Sequence, residues 1–194
     1  MKFKTYDILS SLIPGFLTLL VLLNILNMNY DNDLVIAYTA IAFVLGYLIN
    51  TISSWMEDFY FFTWGGKPSS RLLNGKDIWK VRFYHSAKVK NLLLTESANP
   101  KASADELFSI AMRYANGEKE GRADDFNALY AFSRGLLTAM LLGSVILIIE
   151  NYDNWNYYFV FLPSLIIIWL RCKQRGYYYA REVLNVYLKS KKLI

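Results

Sequence analysis

Four apolar runs divide the chain, over residues 8–27, 34–55, 132–149 and 155–170. A hydrocarbon core of about 30 Å needs about 20 helical residues to cross it, and the first two runs meet that length. The stretch 136–149 holds only 14 uninterrupted apolar or small residues, a length also found in buried core helices. Two neighbours extend it to a span. Arg134 can snorkel toward one interface, and Trp155, Tyr157 and Tyr158 supply an aromatic belt at the other. Trp169 and the run Tyr177, Tyr178 and Tyr179 mark the opposite side of the fourth span. Pro14 followed by Gly15 removes a backbone donor early in the first span and predicts a kink there, or a short interfacial helix followed by the span.

Between the two apolar pairs lies a polar insert, residues 56–130. It opens on the aromatics Trp55, Phe59, Tyr60, Phe61, Phe62 and Trp64, read as a headgroup-level cluster, and breaks at Gly65-Gly66-Lys67-Pro68. A helix is predicted from Asp77 as N-cap, with Ile78, Val81, His85, Val89 and Leu92 as its apolar stripe. Asn99-Pro100 ends it. Ser103-Ala104-Asp105-Glu106 then reads as a capping box, opening a helix striped by Leu107, Ile110, Ala111 and Tyr114 that closes at Gly117. No Pro or Gly interrupts residues 122–134, so the third span should begin as a helix outside the apolar core. The fourth should continue likewise through Leu193, with Val183, Leu184, Val186, Tyr187 and Leu188 on one face. The expected fold is all-α: four transmembrane helices with a small cytosolic helical domain built from the insert and the helix extensions. Its segments are a first hairpin (1–55), the insert (56–130), a second hairpin (131–172) and a basic tail (173–194).

Charge sets the expected orientation. None of the 21 Lys and Arg lies in the connectors 28–33 and 150–154, which carry Asp31, Asp33, Glu150 and Asp153. Short loops without cations are the exported ones. Both termini and the insert are therefore expected in the cytosol, where the 21 cations face the other 12 of the 16 acids. The basic balance follows from topology, and a nucleic-acid partner is not expected. Met1-Lys2-Phe3-Lys4 before an apolar run imitates a signal peptide, but no small-x-small cleavage site follows, so a retained span is expected. The single cysteine, Cys172, excludes an internal disulfide and sits among Arg171, Lys173 and Arg175 as a spectator thiol.

Little of the chain has the pattern of a catalyst. One His and one Cys cannot assemble the usual zinc sites or a His-dependent triad, so neither a metal nor a cofactor nor a catalytic residue is nominated. The doublets Asp105-Glu106 and Asp124-Asp125 read as helix N-termini. Glu57 and Asp58, among aromatics, are expected to seek Lys67 or Arg71. Lys67, Ser69, Ser70 and Arg71 in the Gly-rich turn offer cations and hydroxyls for an anionic ligand or lipid headgroup, although the turn lacks the Gly-Lys-Ser/Thr order of a phosphate-binding loop. Asn24, Thr18, Asn50, Thr138 and Ser144 are the polar residues of the spans, and no ionisable residue falls at mid-depth, which disfavours ion-coupled transport. Asn24 and Asn50 are expected to bond to a neighbouring helix, although polar groups lining a pore in an oligomer would look the same from sequence. Gly135, Ala139 and Gly143 recur every four residues and predict a close helix pair, within the chain or between chains.

The entry Tyr6-Asp7-x-x-Ser10-x-x-Ile13-Pro14-Gly15, with Gly46-Tyr47 and the basic, aromatic insert, resembles small multi-pass membrane proteins of bacterial antiviral systems. The type VI CRISPR membrane accessory proteins and four-span effectors of nucleotide-signalled defence are the comparison. That resemblance implies a non-enzymatic accessory or effector in contact with membrane lipids. Its cytosolic part would receive a protein or nucleotide signal, and its spans would form a homo-oligomer or perturb the bilayer. The alternative is a membrane-embedded enzyme acting on lipid or isoprenoid phosphate, with Glu57, Asp58, Lys67 and Arg71 at the interface.

Overall fold

The computed structural model describes residues 5–117 and 122–192, with side chains from residue 10 onward. Met1-Lys2-Phe3-Lys4 and Leu193, to which the sequence reading assigned a signal-like start and a helix end, lie outside the described residues. Among the described residues the secondary structure is helical apart from one isolated bridge. The elements are α1 (Thr5–Ile25), α2 (Val35–Trp55), α3 (Glu57–Trp64), α4 (Pro68–Leu73), α5 (Ser86–Ser97), α6 (Ala104–Gly117), α7 (Arg122–Glu150) and α8 (Trp155–Ser190). Among the described residues three helical segments are long and apolar enough to cross a membrane: Asn32–Trp55, Arg122–Glu150 and Trp155–Ser190. The apolar part described for α1, Ser10–Ile25, is shorter. α1 runs through Pro14 without ending there.

The chain divides into two compact units, one of Met1–Glu57 with Ala131–Cys172, the other of Asp58–Tyr130 with Lys173–Ile194. In the first unit α1 and α2 form an antiparallel pair whose backbones meet. A Cβ on Gly15 would overlap the Ala42 carbonyl oxygen and lie 2.5 Å from the Gly46 nitrogen, and one on Gly46 would overlap the Ser11 carbonyl oxygen. Only glycine permits that approach. Toward the connector the pair is filled by Leu19, Leu23, Tyr38 and Ala42, and Tyr30 closes it with its ring 4.9 Å from Tyr38 and 6.3 Å from Phe16. Outward, helices of this unit display large apolar side chains: Ile36 of α2 is 87% exposed and Phe159 of α8 75%.

The second unit is built the other way. Among the described residues seventeen buried apolar side chains form one core, to which α8 contributes Tyr177, Ala180, Val183, Leu184, Val186, Tyr187 and Leu188. Against them pack Leu72 and Leu73 of α4, Val89 and Leu93 of α5, and Leu107, Ala111 and Ala115 of α6. α6 begins as its capping box requires, with Ser103 Oγ accepting from the Glu106 N–H at 3.2 Å.

Three expectations are corrected here. The helix does not start at Asp77: residues 77–85 form a tight turn with the Ile78–Val81 bridge, and α5 begins at Ser86. Lys80 takes φ 67, a left-handed conformation no helix interior tolerates, and the Asp77 carboxylate accepts from the Phe83 N–H at 3.1 Å instead of capping a helix. His85 is accordingly exposed beside the start of α5, not on an apolar stripe. The aromatic cluster also splits. Tyr60 and Trp64 are 1% and 2% exposed and belong to the interior, whereas Phe59 and Phe62 are exposed. Finally, Tyr177 is a core residue of the second unit and marks no interface.

Candidate functional site

The Gly-rich turn folds onto its own arginine. Gly65 and Gly66 adopt φ 79 and 119, which places the backbone around Arg71, and Arg71 Nη1 donates to the Gly65 carbonyl at 3.0 Å. Beside it lie the Tyr177 hydroxyl and the charge of Lys173. Arg71 Nε and the Tyr177 hydroxyl are both buried. The four residues nominated for an anionic ligand do not converge as a cradle. Lys67 Nζ reaches Asp105 at 2.7 Å, Ser69 is buried, Ser70 is half-buried, and Arg71 holds the turn.

Glu57 is engaged by an arginine of its own unit. Its carboxylate accepts from Arg134 Nη1 at 2.7 Å, and Arg134 Nε donates to Ser53 Oγ at 3.3 Å, all within the first unit. Of the quartet Glu57, Asp58, Lys67 and Arg71, Glu57 bonds Arg134, Lys67 bonds Asp105 and Arg71 bonds the Gly65 carbonyl. Among the described residues no three His, Cys, Asp or Glu side chains come together as for a metal.

A second polar constellation has no local sequence signature. Glu96 at the end of α5 accepts from Tyr114 of α6, from Tyr187 of α8 at 2.9 Å, and from Lys191 Nζ at 2.9 Å. Lys191 also bonds the Tyr114 hydroxyl at 2.9 Å, with its ammonium 4.7 Å from the centre of that ring. Desolvation opposes the charge on Glu96, but the bonds from Tyr114, Lys191 and Tyr187 outweigh it and hold its pKa below the ordinary carboxylate value. The bonds to Tyr114 and Glu96 hold Lys191 above the ordinary lysine value. This network latches the turn after α8 onto α5 and α6. It forms one wall of an open groove of about 710 Å³ lined by Glu96, Ser97, Glu106, Ser109, Ile110, Arg113 and Tyr114.

The stripe Gly135, Ala139 and Gly143 lies against helices of the same chain. A Cβ on Gly135 would sit 2.6 Å from Asn50 Oδ1 and 3.6 Å from Pro14 Cγ, one on Gly143 would sit 3.0 Å from Val21 Cγ2, and Ala139 is buried between them. Asn50 Nδ2 donates to Ser11 Oγ at 3.0 Å, and Asn24 Nδ2 to Glu150 at 3.3 Å, so both asparagines bond to a neighbouring helix. Thr18, Thr138 and Ser144 each bond a carbonyl of their own helix. Compared with protein-family models, with curated proteins and with solved structures, the chain matches none.

Proposed function

We propose that the protein is an integral accessory or effector of the bacterial inner membrane. In this reading four spans, α1 included, anchor it with both termini and the insert in the cytosol. The helical second unit receives a cytosolic protein or nucleotide signal, and the spans respond by associating with other copies or perturbing the bilayer, as in an antiviral effector. The observation that carries the reading is the build of α8. Its first half is an apolar, outward-facing segment, its second half is the centre of the second unit's core, and its end is latched to the wall of an open polar groove. A ligand in that groove that takes over Glu96 or Tyr114 displaces Lys191, so binding there and the state of α8 are linked. Because the small-residue stripe is occupied within the chain, contact between copies falls to the exposed apolar faces of α2 and α8.

The test has two parts. Cysteines placed at Ser103 and at Asn151 in a Cys172→Ala background, in intact cells, should react oppositely with an impermeant thiol reagent, position 151 labelling and position 103 not. Lys191→Ala, which opens the latch without a signal, should raise membrane permeability to a small dye. Labelling at 103 overturns the orientation, and unchanged permeability in a membrane-integrated Lys191→Ala protein overturns the effector role.

A further inference from the structure

The turn between α4 and α5 keeps two large aromatic side chains in the open. Trp79 is 82% exposed and Tyr84 79%, while their neighbours Val81 and Phe83 are buried in the core of the second unit. The turn is held from several sides. Ile78 and Val81 exchange backbone hydrogen bonds of 3.0 and 3.3 Å, the Asp77 carboxylate holds the Phe83 N–H, and the Tyr178 hydroxyl donates to the Lys80 carbonyl at 3.5 Å. Around the two rings Lys76, Lys80, Arg82 and Lys88 are all exposed, and Lys80 Nζ lies 4.2 Å from the centre of the Trp79 ring. The one acid of the turn, Asp77, is engaged by the backbone.

We propose that this turn is a membrane-surface anchor that seats Trp79 and Tyr84 at the headgroup level of an anionic bilayer, with Lys76, Lys80 and Arg82 on lipid phosphates. Trp and Tyr are amphipathic rings that favour the interface, and cations beside them gain from the negative surface potential. Helices able to cross a membrane lie in the same chain, so the bilayer is at high effective concentration for the turn, an advantage no free polymer shares. The inference rests on the membrane-embedded reading of the chain.

An environment-sensitive fluorophore on Tyr84→Cys, in the Cys172→Ala background, reports the position of the turn in the intact protein. All the substituted positions of the turn are exposed, so its fold is retained. The protein is reconstituted into vesicles of phosphatidylcholine with phosphatidylglycerol, or of phosphatidylcholine alone, and retention after alkaline carbonate is measured separately. In anionic vesicles the label should shift to the blue and be quenched by lipid-borne quenchers. Each of Lys76, Lys80 and Arg82 changed to Gln should lower the seated-to-free ratio about fivefold, added salt should lower it further, and Trp79→Ala should lower it in both lipids. A carbonate-retained protein whose label stays in water in both lipids overturns the anchor alone. So does a blue shift that appears only with added oligonucleotide or only with rising protein density. Extraction by carbonate overturns the membrane reading and the anchor with it.

Discussion

The two units solve helix packing with opposite materials. In the first, the tightest contact is made where side chains are missing, at Gly15 and Gly46, and many of the large residues face outward. In the second, Leu, Val and Tyr fill the interior. The difference follows from the surroundings each surface suits. Where lipid is as apolar as leucine, burying leucine contributes little and close backbone approach supplies the attraction. Where water surrounds the helices, removal of apolar area dominates. Substitutions that add volume should therefore damage the first unit most, and substitutions that remove it should damage the second.

The largest effect is expected at Gly46. Even Ala there brings a carbon onto the Ser11 carbonyl oxygen, and a backbone atom cannot swing aside as a side chain can. Gly46→Leu should cost more than about 3 kcal/mol, at or beyond the upper end of overpacking, and open the α1–α2 pair, read as lost thermal stability in detergent. Gly117→Ala, whose new carbon meets nothing within 4 Å, is the control and should stay within about 0.5 kcal/mol. Equal melting temperatures for Gly46→Leu and wild type would break the comparison at its root. Next comes Leu184→Ala in the fully buried centre of the second unit, expected to cost about 2–5 kcal/mol. Limited proteolysis should then cut within 58–117 while the hairpins stay protected. Cleavage confined to the hairpins would reverse the assignment.

Legibility from the sequence followed how local each cause is. The apolar runs of α2, α7 and α8 and the capping box of α6 could be read because hydropathy and caps act over a few residues. The start of α5 is not legible from helical periodicity because Ile78, Val81 and Val89 fall at helical spacing by coincidence. Val81 and Phe83, both buried on either side of exposed Arg82, carry the period-two signal of extended backbone that corrects it. The Gly15–Gly46 contact and the Glu96 latch join residues far apart in the chain. No periodicity marks such pairs. The turn at Lys67–Arg71 was recognisable as flexible and basic, but which partner each cation takes depends on where α6 and α8 arrive.

Ala139→Leu sharpens the comparison at a third point. Because its stripe faces Val21, Pro14 and Asn50 of the same chain, the substitution should cost about 1–3 kcal/mol of stability and leave any oligomer distribution of the surviving folded protein unchanged. A folded Ala139→Leu protein that shifts only from oligomer to monomer would show instead that the stripe serves a partner subunit. A smaller effect is expected at the half-buried ion pair of Glu57 and Arg134. Arg134→Ala removes an ion-pair partner of Glu57 and should cost about 1–2 kcal/mol, less than a fully buried pair because both groups retain some solvent. A double-mutant cycle with Glu57→Ala isolates the coupling, and a zero coupling energy would mean that the pair only decorates the surface.

The smallest effect, and the one that links packing to response, belongs to the latch. Glu96 has its folded pKa below the ordinary carboxylate value, so its stabilisation is complete above that value and fades as the pH falls through the lower, folded one. Lys191 has its folded pKa raised, so its contribution is complete below the ordinary lysine value and fades as the pH rises through the folded one. The latch should therefore be level across neutral pH and fail only at the two extremes. Exposure screens the Glu96–Lys191 pair, which limits its contribution to at most about 1 kcal/mol. Glu96→Gln should remove the acid-side fall in stability of the second unit while leaving the first unit's melting unchanged. Hydrogen exchange of the last turn of α8, followed from pH 7 downward, reads this directly. Faster exchange at neutral pH in Glu96→Gln, converging with wild type in acid, is expected. A wild-type pH profile in that variant would place the restraint on α8 in its apolar face alone, and the route from groove to helix would then lack its polar link.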